Sequence, residues 1–470
     1  MCDQMKWPRL LAEKRFRPSG VYDPKDENGR TQFQKDIDRI TFSSAFRRLG
    51  RKTQVHLLSK HDHIHTRLSH SLEVGCAGRS MGVLVGQLLE GKFKEREGER
   101  PENFSPSKVG EVVQAACLAH DIGNPPFGHA AEEAIRVWFE EEMHDEWKDR
   151  LKEEELEDLR HFDGNAMAFR VVTYKEYNEG EGGMRLTYPT LGTLLKYPRT
   201  SRFAGGKHKF SCLKTEYETL SKIAGELGLS QKIFIERSKD AQYPEVEYAH
   251  HPLAYLVEAA DDICYRVLDI EDAIELNLLN EEVLQGKFQK LLADREELNL
   301  EQERLLNNPS ASWRIKNGLL RGKMIGLMIK EIVHAFDQHY DTIMEGRFEG
   351  DLFSSTDSNS LCLSLKDYYK KEELTKKIYQ NQRNVPLELG AYTVLRNMLK
   401  ISVEAAYEIV EGKTLSYRTE ILKKFMKQDG ESRFEGKSLY QVIVLFLDYV
   451  TGMTDNFATY VNKQLLGLGN

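Results

Sequence analysis

The stretch HPLAYLVEAADDICYRVLDIEDAIEL, residues 251–276, reads as a long and strongly apolar helix, yet it carries adjacent aspartates near its middle. A carboxylate in such a setting is costly to bury unless it is paired or holds a cation. Asp261, Tyr265 and Asp269 recur every four residues and share one helical face. Asp262 lies about 100° round the helix, where solvent or a salt bridge serves it. The fold must bury this helix and still bring partners to at least one of its carboxylates.

Most of the remaining chain is written in the same helical period. DIDRITFSSAFRRLG places Ile37, Ile40, Phe42 and Phe46 at helical spacing, and RLSHSLEVGCAGRSMGVLVGQLLEG predicts a stripe of Leu68, Leu72, Cys76, Leu84 and Leu88. VGEVVQAACLAHDIG is a third helix, ended by the prolines of IGNPPFG. FDGNAMAFRVV starts another, with Asp163 as its cap, and GLLRGKMIGLMIKEIVHAF is clearly amphipathic. Strand signals are few and short, as in RKTQVHLL, and no 20- to 50-residue period points to a solenoid. The expected fold class is mostly α. Residues 1–35 form a polar arm. Residues 36–280 form a core with an irregular insertion at about 174–250. Residues 281–470 form a helical region packed on that core.

Composition removes several classes of function. No apolar run reaches the ~18 to 20 residues of a membrane span, and MCDQMKWPRLLAEKRF lacks the apolar centre of a secretory signal. The six cysteines are scattered without a CxxC pair, which fits a reducing, cytoplasmic setting. A formal charge of -8 gives no general attraction to nucleic acid. Arg47, Arg48, Arg51 and Lys52 still form a local basic cluster that suits the phosphates of a single strand.

The chemistry-bearing residues are histidines and carboxylates, the ligand types of borderline and hard divalent metals. HDHIHTRLSH packs His61, His63, His65 and His70 into ten residues; only His70 has an apolar helical frame. His120-Asp121 ends an apolar helix directly before a proline-stiffened turn, where neighbouring side chains can face one ion. His61-Asp62 has the same letters in a polar loop. Taken with an aspartate of AADDICY, these make a His, His-Asp, Asp set in chain order.

RLSHSLEV, AHDIGNPPFGHAAEEAI, FDGNAMAFR and HPLAYLVEAADDICY together closely resemble the HD-superfamily deoxynucleoside triphosphate triphosphohydrolases, and most nearly the long bacterial deoxyguanosine triphosphate triphosphohydrolases. The likeness is strong over residues 36–280 and weaker beyond. It implies an HD helical core and a divalent cofactor, Mg2+, Mn2+ or Co2+, on His70, His120, Asp121 and Asp261. It also implies metal-dependent hydrolysis of a dNTP, dGTP favoured, to deoxynucleoside and intact tripolyphosphate. On this reading His61, His63 and His65 belong to the loop before the ligand.

The same resemblance assigns His129, supported by Glu132, to the scissile bond as proton donor or as nucleophile. Arg67, Lys196 and Tyr197 fall on triphosphate-contacting positions, with Lys207 and Lys209 as weaker cations. Gln54 and Val55 match positions that crowd the sugar. Tyr265 would stack beneath it and Asp269 would accept from its 3′ hydroxyl. Asn165 matches the motif by its letters, with capping as the plainer role. Family members assemble as tetramers or hexamers, so a homo-oligomer is expected. The competing expectations are another HD-type phosphohydrolase, a 5′-nucleotidase or phosphodiesterase, and a single-stranded nucleic-acid-binding protein on the same fold.

Overall fold

The structure is a computed structural model describing residues 4–468 except 19, 23–28, 56–62, 96–97, 181, 202–208, 236–244, 294, 296–298, 380–384, 413 and 427–432. His61 and Lys207 therefore lie outside the described residues. The chain is mostly α-helical, as its periodicity predicts. Two short antiparallel hairpins pair Arg15–Arg17 with Gly20–Tyr22 and Gln231–Ile235 with Glu245–Tyr248. Of RKTQVHLL, Thr53 forms an isolated bridge to Thr66.

Apolar side chains gather in two clusters. One is built by helices Arg67–Glu95, Pro106–Ala119, Ala254–Glu275 and Trp313–Gln338, closed at one end by Trp7, Phe16 and Phe33. The other is built by helices His129–Val137, Val385–Val410 and Leu439–Thr451. The connection after Pro106–Ala119 leaves the first cluster at Ile122 and enters the second at Phe127. The NPPFG turn lies on that crossing.

Helices Arg67–Glu95 and Pro106–Ala119 pack backbone to backbone. Gly78, Gly82 and Gly86 form an every-fourth-residue row. A Cβ on Gly82 would lie 2.8 Å from Gly110 Cα, and one on Gly86 would lie 2.5 Å from Pro106 Cα. His70 and Val74 continue the same row, so the packing that brings the helices together also carries His70 toward the end of its neighbour. This corrects part of the predicted stripe. Leu68, Leu84 and Leu88 are partly buried against the first cluster, but Cys76 is exposed and Leu72 is 47% exposed. The fully buried face runs through His70, Val74, Met81, Val85 and Leu89. Glycine carries no hydrophobic signal, so the tightest contact surface was the one that periodicity could not see.

The caps follow local chemistry. Ser105 accepts from Lys108 N, with proline at the first helical position. Asp163 accepts from Asn165 N at 2.8 Å, as its position predicts. No helix among the described residues is long and apolar enough to cross a membrane.

Candidate active site

His70 on helix Arg67–Glu95, His120 just past Ala119 and Asp261 on helix Ala254–Glu275 converge from three directions. One ligand atom from each lies within 4.8 Å of the others. His70 Nε2 is 3.1 Å from Asp261 Oδ1, and His120 Nε2 is 3.7 Å from the same oxygen. Asp121 Oδ1 lies 3.6 Å from His120 Nε2, which brings the fourth predicted group beside the three.

The donor set fits a divalent cation. His120 Nδ1 lies 2.6 Å from the carbonyl oxygen of Cys117. A carbonyl only accepts, so Nδ1 carries the proton and Nε2 turns a lone pair toward the carboxylates. Burial alone would push both carboxylates up. For Asp261 the His70 contact and the charges of His120 and Lys196 outweigh burial and hold it well below the usual range. For Asp121, Arg67 and the two imidazoles bring it down to about 2. Both are therefore ionised, as metal ligands must be.

The turn after the ligands is shaped by its sequence. Asn124 Nδ2 donates to Asp121 Oδ1, and Arg67 Nη1 donates to Asp121 Oδ2 at 2.7 Å. Two prolines stiffen the turn, and Phe127 and Gly128 both have positive φ, 68° and 60°. A Cβ on Gly128 would lie 2.7 Å from Arg67 Nη2, so glycine serves both the backbone angle and the close approach. The turn delivers His129 to the start of the next helix. Its side chain is 82% exposed and its Nδ1 lies 2.9 Å from Glu132 Oε2. Glu132 is buried; burial opposes its charge, but the His129 contact, Gly164 N and Arg136 hold its carboxyl below the ordinary value.

These groups, except the buried His70, line a cavity of about 500 Å3. Among the predicted residues, Gln54, Val55, Arg67, His120, Asp121, His129, Glu132, Lys196, Tyr197, Asp261 and Tyr265 line it. Asn165 and Lys209 also reach it. Lys196 follows helix Tyr188–Leu194 and sits 3.7 Å from Asp261 Oδ2 and 3.8 Å from Glu258 Oε1. Those carboxylates raise its pKa above the ordinary lysine value despite burial, keeping it cationic. Asp269 is buried and does not line the cavity. Tyr265 stacks on Tyr369 with centroids 6.4 Å apart.

Asp262 is salt-bridged: Arg266 Nη1 donates to its Oδ1 at 2.6 Å. His65, in the loop before His70, is held by acids: its Nδ1 lies 2.6 Å from Asp272 Oδ1 and its Nε2 3.3 Å from Glu73. One expectation is corrected. Lys52 is buried and donates to the carbonyls of Asn124 at 2.6 Å and Thr451 at 2.7 Å, so it is not part of an exposed basic patch. Sequence reasoning missed Asn124, Glu258, Thr375 and Glu388, which also line the cavity. Glu258 stands three residues before Asp261, so helical spacing offered a signal for it. Thr375 and Glu388 come from a distant part of the chain, and no local pattern points to them.

Comparison with known proteins places these observations in a wider set. Residues 67–171 match the HD domain family. Over 98% of its length the chain is 41% identical to a deoxyguanosinetriphosphate triphosphohydrolase-like protein of Pseudomonas aeruginosa, covering 99% of that protein. A deoxyguanosinetriphosphate triphosphohydrolase-like protein of Synechocystis is 33% identical, over 99% of this chain and all of that one. The deoxyguanosinetriphosphate triphosphohydrolase of an Enterobacter strain is 29% identical, over 93% of this chain and 94% of its own.

Proposed function

The chain belongs to the deoxyguanosinetriphosphate triphosphohydrolase-like proteins of the HD superfamily, and from that premise we propose that it hydrolyses dNTPs, dGTP foremost, to deoxynucleoside and tripolyphosphate. The observation that carries this reading is the His70, His120 and Asp261 cluster, of which His120 and Asp261 share one cavity with the His129–Glu132 pair. His70, His120, Asp121 and Asp261 would hold a divalent ion, Mg2+, Mn2+ or Co2+, which would supply positive charge at the α-phosphate and lower the pKa of a bound water.

The chain's own residues do the rest. Lys196 is fixed as a cation at the cavity wall and meets the triphosphate with Tyr197. Arg67 is already engaged by Asp121 through Nη1, and its buried Nε has no hydrogen-bond partner among the described residues. It therefore orients a ligand carboxylate and adds positive potential to the phosphate path. His129 Nδ1 lies 2.9 Å from Glu132 Oε2, which orients the ring and leaves Nε2 to face the departing 5′ oxygen as its proton donor. Gln54, Val55 and Tyr265 enclose the sugar, and Asp269 acts on it only if the helix or its neighbours shift.

Hydrolysis in 18O-labelled water tests the bond that breaks. Attack at the α-phosphorus places the label in tripolyphosphate. Label in the 5′ hydroxyl of the deoxynucleoside contradicts this mechanism. An oligomer also fits the C-terminal region, which exposes Leu389, Tyr417, Ile421 and Tyr460; a tetramer or hexamer by light scattering is the expected result.

A further inference from the structure

We propose that the chain has a second anion site, for a phosphate-type oxyanion, in the cavity between the segment preceding Lys52 and the end of helix Leu439–Thr451. This cavity measures about 430 Å3 and is lined by Arg48, Lys175 and Arg433, together with the acids Glu176, Glu179 and Asp448. The acids are already committed. Glu176 Oε1 accepts from the backbone and hydroxyl of Ser44 at 2.8 Å each. Glu179 pairs with Arg433 at 2.6 Å, and Asp448 takes a two-pronged contact from Arg170 at 2.9 Å on each arm.

Arg433 is matched by Glu179, but the other two cations have no carboxylate partner among the described residues: Lys175 Nζ donates only to the carbonyl oxygen of Asp448, and Arg48 only to the Ser44 hydroxyl, at 3.1 Å. Among the described residues, the buried Nε atoms of both Arg48 and Arg433 have no hydrogen-bond partner. A buried guanidinium N–H without an acceptor is costly, and a fork of such donors matches a tetrahedral oxyanion. Burial lowers the pKa of Lys175, and Arg48, Arg170 and Arg433 lower it further against the opposing field of Asp448. An anion in the cavity relieves that repulsion.

The site is also wired to the candidate active site. Lys52 bridges the carbonyls of Asn124 in the catalytic turn and of Thr451, the residue before Gly452 of the cavity wall. Burial, and after it the charges of Arg48 and Arg67, push Lys52 down to about 7. An anion between Arg48 and Lys175 favours charged Lys52 and so tightens the turn that presents His129.

The test is calorimetric titration of the full chain with inorganic phosphate at pH 7, without dNTP, so it is independent of the proposed reaction. The Lys196→Gln variant, weakened at the candidate active site, should retain one phosphate site. Arg48→Gln and Arg433→Gln should each weaken that site at least tenfold while circular dichroism stays native. Phosphate binding unchanged in both arginine variants, or absent from Lys196→Gln, overturns the proposal. Arg433 is partly exposed, so its variant keeps the test decisive if Arg48→Gln fails to fold.

Discussion

Asp261 and Asp262 are chemically identical neighbours held in opposite surroundings. Asp261 faces two imidazoles and Lys196, whereas Asp262 faces Arg266 four residues on. Asp261→Asn is expected to abolish metal-dependent turnover, and Asp262→Asn to retain most of it; steady-state rates with Mn2+ check both. The opposite ranking would mean that the assignment of the ligand face is off by one residue. His65 allows a pH test at the same scale. Burial opposes its charge, but Asp272 and Glu73 raise its pKa to about 10, above the ~6.5 of an unfolded histidine. Its contribution to stability is therefore complete below pH 6.5 and is lost as pH rises toward 10. Wild-type Tm should fall more steeply across that interval than the Tm of His65→Gln, and parallel curves would contradict the clamp. The His70, His120 and Asp261 cluster was legible because a mid-helix aspartate is costly and the resemblance singled out these positions. The role of His65 was not, since its partner Asp272 lies 207 residues away.

Helices were readable where apolar residues mark the buried face, and misread where glycine does. On helix Arg67–Glu95 the leucine and cysteine positions suggested one stripe, while contact runs along His70, Val74, Gly78, Gly82 and Gly86. Gly82→Ala would drive a Cβ against the Gly110 backbone and should cost about 1–3 kcal/mol of stability, measured by denaturant unfolding. Gly91→Ala on the same helix meets nothing within 4 Å. It should be neutral or gain up to about 1 kcal/mol. Equal effects would remove the close-packing account. Because His70 continues the glycine row, Gly82→Ala should also weaken metal binding more than Gly91→Ala does.

For the whole molecule, the turn that presents His129 is braced by residues far along the chain. Asp455 Oδ2 accepts from Thr53 N at 2.9 Å and Thr53 Oγ at 2.6 Å, while its Oδ1 accepts from Phe127 N at 2.9 Å. Asp455→Ala removes three hydrogen bonds at once and is expected to lower kcat at least tenfold with metal affinity little changed, read from initial rates and a metal titration. An unchanged kcat would make this brace incidental to catalysis. The helical class and the clustering of His70, His120 and Asp261 could be read from local pattern and resemblance. The bracing by residues 451–455, and the cavity contributions of Thr375 and Glu388, depend on long-range packing that no local pattern encodes. The account rests on one reaction, and phosphorus NMR of each dNTP with the purified protein and Mn2+ or Mg2+ tests it most directly. It predicts intact tripolyphosphate as the sole phosphorus product, appearing fastest with dGTP. Pyrophosphate or orthophosphate as the product, or no turnover of any dNTP, would contradict it.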